Sequence, residues 1–138
     1  MSTSHRWDEP GTYNIKVKAK DLAGSESIWS DTTKIVMGNT PPDTPQKPNG
    51  PSSGVIGVTY TYSTSSADSE NDDIEYFFEW GDATNSGWTY TPFASHSWLE
   101  PGEYSIRVKA RDTWDESDWS SWKNVLIDKG SISVELEA

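Results

Sequence analysis

Residues 95–112 read SHSWLEPGEYSIRVKARD, and residues 4–21 read SHRWDEPGTYNIKVKAKD. The two stretches align without a gap at an offset of 91: His5 with His96, Trp7 with Trp98, Pro10-Gly11 with Pro101-Gly102, Tyr13 with Tyr104, Asp21 with Asp112. After a one-residue gap the match resumes, IWSDTTKIVM at 28–37 against DWSSWKNVLI at 118–127. Self-similarity at one spacing marks a repeated structural unit. Within 103–111, Tyr104, Ile106, Val108 and Ala110 alternate with Glu103, Ser105, Arg107, Lys109 and Arg111. That period of two belongs to a strand with one buried face and one wet face. Residues 12–20 repeat it with Tyr13, Ile15, Val17 and Ala19.

Outward from these runs the pattern stays that of strands. Ile74, Tyr76, Phe78 and Trp80 alternate in 73–80, and Val58, Tyr60 and Tyr62 alternate in 57–63. Residues 88–91, 95–98 and 122–127 read as shorter strands, and Pro101-Gly102 supplies a turn before the 103–111 strand. No segment carries a 3.6-residue period. Many short strands with turn signals predict an all-β sandwich, and a spacing near ninety residues matches an immunoglobulin-like one.

Three segments follow. Residues 1–38 are expected to be the C-terminal half of a repeat, 39–128 a complete β-sandwich, and 129–138 a tail. In the tail Ile132, Val134 and Leu136 alternate as in one more strand. The join, GNTPPDTPQKPNGPSSG at 38–54, has five prolines and reads as a stiff, extended linker. The opening MSTSHRWDEP is polar and no signal peptide. Met1 running straight into mid-repeat sequence suggests a larger parent that carries its targeting signal elsewhere.

Composition narrows the function classes. The 138 residues contain no cysteine, which removes disulfides and thiolate metal sites. A net charge of −11 argues against nucleic acid and anionic membrane surfaces as partners. No run of eighteen apolar residues exists, so no helix inserts in a bilayer. Eight Trp and six Tyr stand against three Phe and two Met, a bias that suits thin sandwiches filled by flat rings.

The ordered set Trp80-Gly81-Asp82, His96-Ser97-Trp98, Pro101-Gly102-Glu103-Tyr104, Ile106, Val108 and Asp112 resembles the PKD (polycystic kidney disease) domain family. The resemblance covers 40–128 in full and 4–37 for the second half. Ala83 stands where that family has a second glycine, and Trp7 and Trp98 stand where tyrosine is commoner. The E-W-G-D order at 79–82 is similar to variants in archaeal and bacterial surface and secreted proteins. The resemblance implies an extracellular or cell-surface immunoglobulin-like fold of the PKD type. It also implies occurrence in arrays, or beside the catalytic domains of secreted proteases and polysaccharide-degrading enzymes.

No enzymatic activity is expected. Asp82, Ser86 and His96 can be drawn as a triad, but no nucleophile-elbow motif accompanies them. His5 and His96 occupy equivalent places in two copies and form no local metal pair. Asp68, Glu70 and Asp72 alternate in an acidic loop similar to the D-P-D-G-D loop of the surface variants. They are the expected Ca²⁺ ligands, with Asn71 at the turn. Trp88, Tyr90, Trp114, Trp119 and Trp122 exceed what one core holds, and form the expected binding patch for a polysaccharide or surface protein. Tyr13, Ile15 and Val17 would be bare in an isolated half-repeat, and predict homo-oligomers by strand exchange with other chains or repeats of the same protein. The leading expectation is a spacer or adhesion module acting through protein–protein or self-association. Its rival is an accessory carbohydrate- or protein-binding module of a secreted hydrolase.

Overall fold

The computed structural model describes residues 2–130. The tail strand expected around Ile132, Val134 and Leu136 lies outside the described residues. The chain divides into two compact units, one ending at Asn39 and one beginning at Thr40.

In the first unit β1 (Gly11–Ile15) pairs antiparallel with β2 (Thr33–Met37), Tyr13 opposite Ile35. β1 stops short of the 12–20 run that the alternation predicts. Beyond Ile15 serine hydroxyls take over from the ladder. The Val17 amide donates to Ser30 Oγ at 2.9 Å and the Ala19 amide to Ser27 Oγ at 2.8 Å. The Ser30 and Ser27 amides donate back to the Val17 and Ala19 carbonyls at 2.7 and 2.8 Å. Such side-chain bonds satisfy the backbone without regular strand pairing.

The second unit contains β3 (Ser53–Val55), β4 (Tyr60–Ser63), β5 (Glu75–Glu79), β6 (Asn85–Thr89), β7 (Phe93–His96), β8 (Gly102–Arg111) and β9 (Lys123–Asp128). One sheet runs β3-β9-β8-β5-β6, and β4 and β7 form a second. β3 lies parallel to β9; every other pair is antiparallel. Side chains from both layers meet in one core: Tyr62 from β4, Tyr76 and Phe78 from β5, Ile106, Val108 and Ala110 from β8, and Val125 and Ile127 from β9. Trp80 and Trp98 complete it, each 1% exposed. Trp98 stands edge-on to Trp80 at 6.3 Å, and its Nε1 donates to the Trp80 carbonyl at 3.2 Å. That bond satisfies the only polar atom the ring brings inside.

The buried sets on β5 and β8 follow the alternation. On the 57–63 run it fails at its start, since Val58 is 43% exposed while Tyr62 is buried. Gly57 turns the chain there with φ of 76°, so Val58 belongs to a loop and β4 begins only at Tyr60. The stiff, extended linker expected at 38–54 is extended, but it is not a spacer between units along its whole length. From Pro42 onward the segment is strapped along the second unit. The amides of Asp43, Gln46 and Asn49 donate to the carbonyls of Ala67, Ser65 and Ser63 at 2.8 to 3.0 Å. Pro42, Pro45 and Pro48 are buried at every third position, the repeat of a polyproline-type strand.

Candidate functional site

The loop between β4 and β5 builds an acidic cluster. Asp68 Oδ1 accepts the amides of Glu70 at 2.9 Å and Asp72 at 3.1 Å, closing an Asx-type turn. Asn71 takes the left-handed conformation the turn requires, with φ of 60°. The pairing of β5 with β8, Glu75 opposite Arg111, then carries the end of β8 to this loop. Asp112 arrives 5% exposed, its Oδ1 accepting the Trp114 and Asp115 amides, both at 2.7 Å. One oxygen from each of Asp68, Asp72 and Asp112 lies within 4.8 Å of the others. Asp68 is 8% exposed, and its Oδ2 is buried with no hydrogen-bond partner among the described residues. Oxygen donors grouped in this way suit a hard divalent cation, and an unsatisfied buried carboxylate oxygen is costly without one.

Two of the three sequence-expected ligands, Asp68 and Asp72, thus lie together with Asp112, and Glu70 lies outside the group. The Glu70 carboxylate receives the Ser69 hydroxyl at 2.5 Å and the Thr40 amide at 2.6 Å. These two donors hold Glu70 below the usual carboxylate range. Asp112 stands outside the sequence-expected set because it lies about forty residues downstream. Its one signal in the sequence is its match to Asp21 in the repeated block.

Beside the cluster is an open groove of about 480 Å³ between the start of β5, Tyr90 of the β6–β7 turn and the loop after β8. Of the surplus aromatics, Tyr90 and Trp114 line it, 68% and 41% exposed. The other three lie along the outer face of the large sheet, interleaved with cations. Arg111 sits over Trp88 at 4.2 Å, Lys109 over Trp119 at 4.9 Å, and Arg107 over Trp119 and Trp122 at 4.0 and 4.3 Å. Glu75, Glu79 and Glu116 pair with Arg111, Arg107 and Lys109 in turn. The five aromatics therefore do not form one patch.

The drawn triad does not assemble. His96 stacks flat on Trp80 at 4.9 Å and bonds Asp82 Oδ2 through Nε2 at 2.8 Å. Burial pushes the Asp82 carboxyl up, but bonds from Thr84 and His96 outweigh it and hold it below its ordinary value. Ser86 is used elsewhere, its hydroxyl accepting the Phe78 amide at 2.9 Å and donating to the Gly87 carbonyl at 2.7 Å. Asp82 and His96 instead lock a turn and cap the core, and the Thr84 hydroxyl donates to Asp82 Oδ1.

Among known proteins, a solved PKD domain of an M14-like peptidase from a Thermoplasmatales archaeon is 36% identical to this chain. The match spans 67% of this chain and 100% of that domain, with a TM-score of 0.59. The chain belongs to the PKD-domain family. Its PKD fold also resembles the fibronectin(III)-like modules of CbhA from Clostridium thermocellum. That match is 22% identical, covers 94% of this chain and 68% of that one, and has a TM-score of 0.50, a likeness of fold alone. No family model matches the sequence, and no curated protein matches it. No helix among the described residues is long and apolar enough to cross a membrane. Within the PKD domain Ala83 adopts a φ of 68°, a left-handed position that explains the glycine the family favours there.

Proposed function

We propose that this chain is an accessory module of a secreted hydrolase, a peptidase in the first instance, that keeps its catalytic neighbour on a polymeric substrate. The observation that carries this reading is the likeness to the PKD domain of an M14-like peptidase, which spans that whole domain. A non-catalytic sandwich with an open, aromatic-bearing groove fits such a role. The test is retention of the purified chain on insoluble protein and polysaccharide polymers at moderate salt. Retention on one class is expected, and no retention on either would return the chain to the role of a spacer.

A second reading concerns Ca²⁺. The buried, unpartnered Oδ2 of Asp68 supports a cation held by Asp68, Asp72 and Asp112, joining the β4–β5 loop to the end of β8. Ligation would raise the melting temperature, the gain growing with the logarithm of Ca²⁺ concentration above the Kd. A rise of several degrees with Ca²⁺ is expected, removed by chelator and by Asp112→Asn. A melt that chelator leaves unmoved would overturn it.

Self-association through Tyr13, Ile15 and Val17 draws support from the exposure of that segment, where Ile15 is 37% and Val17 66% accessible. Light scattering at two concentrations tests it. A concentration-dependent dimer is expected; a monomer at both, cut by protease within 4–37, would dispose of it.

A further inference from the structure

Every tryptophan of the described residues has a ring or cation partner except one. Trp7 packs on His5 and Tyr13, and Trp80 and Trp98 pack on each other. Trp29 carries Lys16 and Lys18 at 4.6 and 4.7 Å, and Trp88, Trp119 and Trp122 carry the cations of the sheet face. Trp114 lines the groove, 41% exposed, with no ring packed on it and no cation over it among the described residues. Tyr90 lines it too, and the nearby Glu75 carboxylate raises its hydroxyl above its ordinary pKa.

Charge decides what these rings receive. The groove is lined by Asp73, Glu75, Asp112, Asp115 and Glu116 against a single Arg111. Setting Asp112 aside with the acidic cluster leaves four carboxylates, of which Glu75 pairs with Arg111 and Glu116 with Lys109, so that the lining keeps a net negative charge from Asp73 and Asp115. Arg111 is already committed: its Nε donates to Glu75 at 2.6 Å, its Nη2 lies 2.5 Å from the same oxygen, and its plane covers Trp88. An anionic ligand would find no unengaged cation there. A neutral sugar would gain ring contact but nothing from the negative field. A cation gains both, because an aromatic face and nearby carboxylates attract it together. On the sheet face the protein already makes that arrangement with its own residues, Lys109 lying over Trp119 and paired with Glu116.

We propose that the groove binds a lysine or arginine side chain of an extended polypeptide, the cation over Trp114 and the carboxylates of Asp73 and Asp115 around it. The inference deepens the accessory-module reading and rests on it, naming basic polypeptide as the substrate class. A groove of about 480 Å³ is in the range of ligand sites, and admits one long side chain with its neighbouring peptide units.

The test is calorimetric titration of the full chain with hexalysine, hexaarginine, hexaglutamate and a neutral cello-oligosaccharide. Binding is expected for the two basic peptides alone, weakening as salt rises from about 50 to about 500 mM. Trp114→Ala and Asp73→Asn are each expected to weaken it about two- to fivefold. Trp122→Ala and Asp8→Asn, which alter a ring and a charge outside the groove, should leave it unchanged. Unaltered melting curves would show that the variants fold. Equal loss in all four variants would mean diffuse charge attraction and would overturn the proposal, as would tighter binding of the sugar. If the basic peptides fail to bind while the chain is still held on a polymer, this inference falls and the accessory role stands. If neither occurs, both fall.

Discussion

Residues 4–31 and 95–121 have nearly the same local structure and opposite burial. Tyr13 donates to the Glu9 carbonyl at 2.7 Å, and Tyr104 donates to the Glu100 carbonyl at 2.7 Å. Asp21 Oδ1 accepts the Ala23 and Ser25 amides; Asp112 Oδ1 accepts those of Trp114 and Asp115. Ser27 and Ser30 serve Ala19 and Val17 as Ser117 and Ser120 serve Ala110 and Val108. The ion pair of Lys18 with Glu26 recurs as Lys109 with Glu116, each at 2.9 Å. Yet Val108 is 0% exposed and Val17 is 66% exposed. Short-range hydrogen bonds travel with the sequence block. Burial depends on the second layer, which in the Thr40 unit is supplied by β4 and β7, and which the first unit does not contain among its described residues.

Hydrogen exchange should give the largest contrast. The Val108 and Ala110 amides should open only with the whole sandwich. The Val17 and Ala19 amides make the same bonds and should exchange about a thousandfold faster or more. Equal protection in the two strands would break the comparison.

Next comes the cost of removing matched rings. Trp98→Ala empties a fully buried site and should destabilise by about 3–5 kcal/mol in urea unfolding. Trp7→Ala, at the aligned half-buried position, should cost about 1 kcal/mol or less.

A smaller effect is expected at Gly81, which has φ of 82° and no counterpart in the first block. A Cβ there would meet the Ser105 carbonyl oxygen at 2.6 Å. Gly81→Ala should cost about 1–3 kcal/mol and lower the melting temperature of the second unit alone.

The smallest contrast concerns pH. His96 has Asp82 as a partner, and His5 has no equivalent among the described residues. Because the folded Asp82 carboxyl lies below its ordinary value of 3.8, its contribution is present above that pH and is lost as pH falls through the depressed folded value. Asp82→Asn should flatten the acid limb of the melting-temperature profile below about pH 4 and leave the first unit unaffected. An identical acid limb in both proteins would remove this pair from the account.

Much of the fold was legible along single strands. The alternation in 103–111 marked Ile106, Val108 and Ala110 for the core because a strand's faces follow parity. The Pro-rich join is legible as extended chain but not as a packed edge, because proline content reports conformation and not contact. The same extended backbone that makes a linker also makes the buried edge at Pro42, Pro45 and Pro48. The candidate site was half legible. Asp68 and Asp72 are neighbours in the chain, whereas Asp112 joins them only through the β5–β8 register. The five surplus aromatics looked alike in composition. Only their neighbours separate the three covered by cations from Tyr90 and Trp114.

From its sequence alone this protein determines what lies within reach of a few residues: strand faces, the tyrosine-to-carbonyl bonds, the Asx-type turns and the serine bonds. All of these form twice from two copies of one block. Tertiary structure decided which copy is buried, which aspartate joins the cluster, and which tryptophan is left without a ring or a cation packed on it. Each of those outcomes depends on pairing between strands far apart in the chain, and local sequence carries no energy term for a partner it does not contain.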